Sequence, residues 1–456
     1  MDQESRSTCN MDNDRHIERV DAAVAFARAK QNTDRKYPSP DHHGNRLYPL
    51  ASPRTRPSFQ IEEHETVFAI GSCFARNIEN ALESHGREVL SRKFDLGPIG
   101  ESLTDAANFF NKYSIHSVTN EVIWALERET FPGGDLIYRL GGGRYCDCQL
   151  GMAKMQYSKD EILAFRERYL DAMAQVVEAD VVILTLGYVE TWYDRKLGLY
   201  LNVSPPKPLI KKEPERFEFR VLSYQDVLDG LEALYAALQR HRTKPLKMLV
   251  TVSPVPLLAT FRDMDVLVAN AYSKSVQRAA IEEFVQGKAW VDYFPSYEFV
   301  TLSNPAIAWS RDDYRHVSPD VVNRIMASVL ASYVPGGEAS DLITREGLLA
   351  TVKQLHQLEE QEAIVSVLDE YDALVAGDGQ LLMARAAAMR RLGRLEEAWE
   401  ALSVAIEVAP RRPFALERLI SLARPLKRHI EARALLELHR QRFPKRNQFR
   451  KRLDWL

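Results

Sequence analysis

The sequence predicts an α/β domain built on a five-stranded parallel sheet, followed by an all-helical repeat domain. Three observations lead there. Short, wholly apolar runs recur between Thr66 and Tyr293, as in strands buried on both faces. Segments of helical period separate these runs, the alternation of a parallel sheet covered on both sides. After Pro335-Gly336-Gly337 the strands stop, and apolar residues recur at helical spacing to the end of the chain.

Residues 1–57 are polar and rich in proline, with one amphipathic stretch at Ile17–Ala29. Pro38, Pro40, Pro49, Pro53 and Pro57 predict an extended lead-in that wraps the surface or is loosely ordered. The α/β domain is expected over residues 58–335. Its first strand, Val67-Phe68-Ala69-Ile70, ends at Gly71, and a helix over Cys73–Ser84 places Phe74, Ile78, Ala81 and Leu82 on one face. Glu88–Phe94 reads as the second strand, and helices are expected at Leu103–Tyr113, Asn120–Glu127 and Lys159–Glu178. Val181–Leu186 is the clearest buried strand. Helix Tyr224–Arg240 then leads to strand Lys247–Ser253, helix Val266–Val285 to strand Ala289–Tyr293, and Pro319–Tyr333 forms a last helix. Ligands of such sheets bind beyond the carboxyl ends of the strands. Those ends carry Gly71-Ser72-Cys73, Gly187-Tyr188-Val189-Glu190 and Ser253-Pro254.

The tail, residues 340–456, shows a repeat. Pro410 and Pro444 lie 34 residues apart, as do Ala398 and Ala432, and Leu402 and Leu436. The pattern resembles the tetratricopeptide repeat, which has that period. Its second copy is degenerate, with Lys427 in place of Gly393 and His439 in place of Ala405. Leu348–Val375 supplies an earlier, weaker helical pair. Since about three units are needed to bury a core, the tail is expected to pack on the α/β domain or on a protein partner.

Composition narrows the function classes. With 60 basic and 63 acidic side chains the net charge is -3, which gives no reason to expect nucleic acid as a partner. The basic cluster from Arg440 to Arg452 reads as a solvated helix end. Four cysteines, Cys9, Cys73, Cys146 and Cys148, make no disulfide framework in so long a chain. Cys146-x-Cys148 is spaced too tightly for a zinc ligand pair and has no second pair nearby, so no metal is expected. No apolar run reaches the length of a membrane span, and the polar N-terminal stretch does not read as a signal peptide. The expectation is a reduced, cytoplasmic protein.

A strand that ends in glycine, then one residue, then a nucleophile opening a helix has a clear logic. Glycine permits the sharp turn. The free N–H groups and positive dipole end of the helix stabilise a thiolate or an oxyanion. Gly71-Ser72-Cys73 fits, with either Ser72 or Cys73 as nucleophile. Near the end of the domain stands Asp313-Tyr314-Arg315-His316, where Asp313 can orient His316 and stabilise its imidazolium. Ser318-Pro319 then caps the last helix. The joint occurrence is much rarer than either part.

Gly71-Ser72-Cys73-Phe74-Ala75 reads letter for letter as the motif that names the GSCFA family, which is similar to SGNH/GDSL-type esterases. Asn111-Lys112-Tyr113, Thr185-Leu186-Gly187, Ser273-Lys274-Ser275 and Tyr293–Glu298 also match, over roughly residues 58–335. The resemblance implies a flavodoxin-like three-layer sandwich of the SGNH-hydrolase type. It places Ser72 at the aspartate position of the SGNH Gly-Asp-Ser block and Cys73 at the nucleophile position, with Asp313 and His316 as the Asp-x-x-His pair. The SGNH block that supplies an oxyanion-binding asparagine corresponds to Gly187-Tyr188-Val189-Glu190, where no asparagine stands. Donation to the oxyanion then falls to the Cys73 N–H, to Gly97 or Gly100, or to Asn111. A carboxylate at Glu190 opposes an oxyanion unless protonated.

The resemblance implies a hydrolase of acyl esters, of a glycan or a small molecule, working through Cys73 or Ser72, His316 and Asp313. An O-acyltransferase of surface-polysaccharide synthesis is the first alternative, with acyl-CoA as donor and no other cofactor in either case. A non-catalytic module that binds a protein partner through residues 340–456 is the second. Lys274, Arg278 and Arg262 read as a charged helix face rather than an anion site. Tyr188, Trp192 and Tyr193 read as core packing rather than a sugar platform.

Overall fold

The structure is a computed structural model that describes residues 19–39, 46–94, 97, 99, 111–150, 157–310, 313–336, 345–451, 453 and 455. Five strands make the central sheet: β1 (Thr66–Gly71), β2 (Glu88–Val89), β5 (Val181–Leu186), β9 (Lys247–Val252) and β10 (Val291–Tyr293). Between them lie a hairpin of β3 (Ile137–Gly141) and β4 (Arg144–Asp147), and an antiparallel sheet of β6 (Glu190–Asp194), β7 (Leu199–Leu201) and β8 (Phe217–Val221). The central order is β10-β9-β5-β1-β2, with every pair parallel.

Alternation along the strands assigns the two faces. Val67, Ala69, Val181, Ile183 and Leu249 point to one side, onto helices Ala75–Ser84 and Pro319–Tyr333. Phe68, Ile70, Val182, Leu184 and Val250 point to the other, onto Ile115–Leu126, Lys159–Ala174, Tyr224–His241 and Val266–Val285. Local chemistry starts several of these helices. Ser158 with Glu161 and Ser223 with Asp226 form capping boxes, and the Ser318 hydroxyl accepts from Val321 N–H ahead of Pro319.

The structure departs from expectation in four places. The second strand stops at Val89, because the Ser91 hydroxyl accepts from Ala69 N–H at 3.1 Å and takes over the edge of β1. The helix after β1 starts at Ala75; Ser72–Phe74 form the turn, closed by Ala75 N–H onto the Ser72 carbonyl at 2.9 Å. Of the helix expected over Leu103–Tyr113, residues 103–110 lie outside the described residues, and Asn111 instead bridges Gly71 in a strand-like contact. The hairpin and the antiparallel sheet were not expected at all, and Glu190 opens a strand rather than lying in a loop.

In the lead-in, helix Ala22–Gln31 buries no residue. Residues 46–61 are pinned to the domain: Leu50, Ala51, Phe59 and Ile61 are buried, and Ile61 N–H donates to the Tyr333 carbonyl at 2.6 Å.

Beside short helices at Asp372–Ala376 and Asn447–Arg450, three helix pairs form the body of the tail among the described residues. Their first helices are Arg345–Gln357, Gly379–Arg391 and Pro413–Ala423, each starting 34 residues after the last. Their second helices, Gln361–Glu370, Leu395–Val408 and His429–Arg442, keep the same step. The pair suggested by Leu348–Val375 is thus a full unit. One apolar cluster runs from the helix Pro319–Tyr333 through Leu348, Leu355 and Ile364 to Leu422. Arg324 adds a bond to Tyr371 at 3.0 Å and an ion pair with Glu370 at 2.9 Å, so the tail packs on the α/β domain.

Candidate active site

Strand order reverses between β1 and β5, with β2 outside one and β9 beyond the other. A crevice beyond the carboxyl ends forms at such a point. Gly71, at φ 129°, closes β1, and a Cβ there would lie 2.0 Å from the Thr185 carbonyl oxygen. Only glycine fits. Ser72 is buried and builds the turn. Its N–H donates to the Thr185 carbonyl at 2.8 Å, and its hydroxyl shares a hydrogen bond with Thr185 Oγ1 at 3.2 Å. Cys73 follows as a half-buried free thiol just ahead of the helix. Burial pushes the thiol above its ordinary value; Arg315, the residue's own N–H, Lys274 and Arg76 pull the other way.

Two of those cations come from distant elements. Lys274 is wholly buried, and its ammonium donates to the carbonyls of Gly187, Ser253 and Val255 at 2.6, 2.8 and 2.9 Å. This corrects the reading of Lys274 as part of a solvated helix face. It shares the inward stripe of its helix with Ser273, Gln277, Ala280, Ile281 and Phe284. Burial pushes Lys274 down to about 7, while the three carbonyls hold the ammonium form by accepting all its protons. Arg278 and Arg262 do sit on partly open surface, against Glu298 and over the Tyr272 ring.

Arg315 lies between the two residues of the expected Asp-His pair. Its Nε is buried with no hydrogen-bond partner, and no carboxylate pairs with it among the described residues. Its charge acts on Cys73, Tyr113 and Tyr188. Those two tyrosines stack with centroids 5.1 Å apart, and burial pushes both phenols up. Trp192 and Tyr193 are elsewhere, packed on Phe219 and Tyr200 of the antiparallel sheet.

Asp313 and His316 do meet. Asp313 Oδ1 accepts from His316 N–H at 2.8 Å and Arg315 N–H at 3.1 Å, while His316 Nδ1 donates to Oδ2 at 2.6 Å. These bonds, the His316 N–H first, hold the carboxyl below its ordinary value. The imidazole is 63% exposed. Among the described residues, no hydrogen bond joins it to Cys73 or Ser72.

The expected oxyanion groups divide. Gly187 N–H already donates to the Tyr113 carbonyl at 3.0 Å, and a Cβ at Gly187 would lie 2.8 Å from that oxygen, so this glycine serves close approach. Glu190 accepts from the Thr260 hydroxyl at 2.7 Å and from Phe261 N–H at 3.3 Å, which fix its orientation, while its charge still acts on Tyr188. Gly97 packs on the Arg168 guanidinium, and Gly100 lies outside the described residues. Asn111 is buried beside Gly71.

Residues 111–113 thread between the ends of β1 and β5. Lys112 N–H donates to the Gly71 carbonyl at 2.7 Å. Asn202 clamps the segment, accepting from Tyr113 N–H and donating to the Asn111 carbonyl, both at 2.9 Å. Below it lies an ion network that sequence reasoning missed. Buried Arg166 donates to Asp147 Oδ2 at 2.6 Å and to Glu121 Oε2 at 2.5 Å, and Lys112 stands 3.5 Å from Glu121. Two cations and two carboxylates balance, which makes burial of all four tolerable. Burial brings Lys112 down to about 8.

Among the described residues no group of three His, Cys, Asp or Glu side chains is placed to hold a metal, and no helix is long and apolar enough to cross a membrane. Against known proteins, the sequence model described as the GSCFA family matches residues 66–328, a span that includes the Cys73 turn, the 111–113 segment, Lys274 and the Asp313–His316 loop. No curated protein matches the chain.

Proposed function

The chain belongs to the GSCFA family, and from that premise we propose that it cleaves acyl esters through a covalent acyl-Cys73 intermediate. The observation that carries this reading is the placement of Cys73 at the reversal of strand order, under the charge of Arg315 and Lys274, which no carboxylate neutralises among the described residues. Those cations offset part of the burial that holds the thiol up, and a tetrahedral oxyanion is the anion such a site favours. Cys73 is preferred to Ser72 because the Ser72 N–H and hydroxyl are spent on Thr185. The central order, with the first strand second from the edge, fits the flavodoxin-like arrangement of SGNH hydrolases. The three helix pairs fit the tetratricopeptide resemblance of the tail.

In the proposed cycle, Asp313 holds the His316 Nδ1 proton, leaving Nε2 as the base. His316 takes the Cys73 proton, and the thiolate sulfur bonds to the ester carbonyl carbon. Collapse expels the alcohol, protonated by His316, and leaves a thioester. Water, deprotonated by His316, then releases the acid and restores the thiol. The cycle requires the imidazole to come within hydrogen-bond reach of sulfur once substrate is bound. A glycan hydroxyl in place of water makes the same intermediate an O-acyltransferase. The exposed His316 ring, unbonded to sulfur, favours a second reading, a binding module without catalysis.

Mass spectrometry after incubation with p-nitrophenyl acetate and, separately, acetyl-CoA distinguishes them. The expected result is an acetyl group on the Cys73 peptide, absent in Cys73→Ala and kept in Ser72→Ala, with ester turnover lost in His316→Ala. No adduct and no turnover from any form would leave the binding reading standing.

A further inference from the structure

The loop before the last helix carries more than the Asp313–His316 pair. Trp309 bridges Val317, Ser310 N–H donates to the His316 carbonyl at 2.7 Å, and Ser318 N–H donates to the Ala308 carbonyl at 2.9 Å. These bonds, with Arg315 N–H on Asp313 Oδ1 at 3.1 Å, fix the backbone around Arg315. The side chain itself is half-buried and held by nothing. Its Nε is shut off from solvent, and no hydrogen bond or ion pair of the guanidinium is found among the described residues. A buried N–H without an acceptor is costly unless a ligand supplies one.

Two further donors stand with it beside Cys73. The Tyr113 carbonyl accepts from Gly187 N–H and Tyr188 N–H, both at 3.0 Å, and the two tyrosine rings stack with planes 13° apart. Neither phenol is hydrogen-bonded among the described residues, and burial keeps both protonated, so each has an O–H to give. Of the cations that reach Cys73, Arg315 acts on it more than Lys274 or Arg76 does. It is also the one without a partner: Lys274 is held by three carbonyls, and Arg76 pairs with Glu79 at 3.0 Å. The charge of Glu190 reaches Tyr188 too, but its oxygens are tied to Thr260 and Phe261, and those of Asp313 to two N–H groups and His316.

We infer that Arg315, Tyr113 and Tyr188 form a subsite for a carboxylate that the substrate carries close to its ester. One unpaired guanidinium matches a monoanion, and its planar fork matches the two oxygens of a carboxylate, whereas a phosphate dianion would leave charge unmatched. Because Arg315 lies near enough to bias the Cys73 thiol, the carboxylate sits a few bonds from the carbon that sulfur attacks. It belongs to the acyl group, as in a half-ester of a dicarboxylic acid, or to the alcohol, as in an ester of a hydroxy acid. The inference rests on the acyl-ester reading of Cys73 for its substrate, though not for the subsite.

Iodoacetate and iodoacetamide probe the subsite without any turnover. Each alkylates the thiolate, with sulfur bonding to the methylene carbon as iodide leaves, and only iodoacetate carries a carboxylate. Rates on Cys73, followed by mass spectrometry of its peptide, are compared with those on free cysteine. Expected are saturable kinetics with iodoacetate, linear kinetics with iodoacetamide, and a rate ratio shifted about tenfold toward the acid, as one charge-assisted hydrogen bond gives. Arg315→Gln should return the ratio to that of free cysteine; a change in thiol acidity cancels between the two reagents. Arg278→Gln, whose guanidinium is held by Glu282 and Glu298, should keep the shift. Matching thermal unfolding curves check that the variants fold, and the saturation test needs no variant. Two substrate pairs separate the sources: glutaryl-CoA against pentanoyl-CoA for the acyl side, and O-acetyl-lactate against its methyl ester for the alcohol side. One acidic member should react about tenfold faster than its partner and lose that advantage in Arg315→Gln. Linear iodoacetate kinetics, a ratio unchanged by Arg315→Gln, or turnover without preference for either acidic member would overturn the inference. Saturable iodoacetate kinetics with no turnover of any ester would instead refute the acyl-ester reading and leave the subsite to a carboxylate-binding module.

Discussion

Replacing Gly71 with alanine tests the turn on which the candidate site stands. The added Cβ would lie 2.0 Å from the Thr185 carbonyl oxygen and 2.7 Å from Thr185 Oγ1. Ordinary contact begins at 3.4 Å, so one strand must retreat by about 1.4 Å, far inside the repulsive wall. Because β1 and β5 are neighbours in the middle of the sheet, neither moves alone. Retreat also breaks the Ser72 N–H bond to the same oxygen, worth about 1 kcal/mol. Holding alanine at φ 129° adds about 1–3 kcal/mol, and overpacking between central strands about 1–2 kcal/mol more. Together these give a loss of about 3–6 kcal/mol. Gly86→Ala is the control: its φ is also positive, at 75°, but nothing lies within 4 Å of the added carbon, so about 1 kcal/mol of strain is expected. Urea unfolding followed by tryptophan fluorescence measures both. If Gly71→Ala cost no more than Gly86→Ala, the close approach to Thr185, and the turn built on it, would be refuted.

Two further predictions concern buried charge. Burial raises the Glu79 carboxyl to about 7 from an ordinary 4.5, against the pull of Arg76. Between those values the folded chain keeps a proton that the unfolded chain has released. Stability from this group therefore falls as pH rises through the window, by about 3 kcal/mol in all. Glu79→Gln should flatten that slope; a wild-type-like change in urea midpoint between pH 4.5 and pH 7 would contradict it. Arg166→Met leaves Asp147 and Glu121 buried without their main partner and should cost about 3–5 kcal/mol. A shift in thermal midpoint within about 2 °C of wild type would show the network to be dispensable.

Much of the parallel sheet was legible because its signals are local. Val181–Leu186 is six apolar or β-branched residues in a row, and helices Val266–Val285 and Pro319–Tyr333 end where the sequence says, the latter set by Ser318-Pro319. The antiparallel sheet was not legible. Glu190–Asp194 becomes a strand by pairing with Phe217–Val221, a partner that no window around either segment reveals. The second strand was overcalled because the Ser91 side chain, not a backbone group, satisfies β1 there. At the site, Gly71-Ser72-Cys73 and Asp313-x-x-His316 stood out because each is a short local pattern. Lys274 did not, since a lysine reads as solvated until three carbonyls are seen to converge on it. One signal was present: with Ala280, Ile281 and Phe284 inward, a helical period puts Ser273 and Gln277 inward too, and Lys274 with them. Arg315 left no trace, because inside the Asp-x-x-His pattern it counts as a spacer.

The Asn202 clamp has a consequence for where this fold tolerates shortening. Seen as topology, the hairpin and the antiparallel sheet are insertions into a regular alternation of strands and helices, the kind of excursion that invites deletion. Yet Asn202 follows β7 and holds both ends of the 111–113 segment, and the Gln149 carbonyl just past β4 accepts from Lys112 Nζ at 2.6 Å. The floor beside Cys73 is thus suspended from outside the central sheet. A minimal chain reduced to its five parallel strands would keep the Cys73 turn and lose the surface beside it.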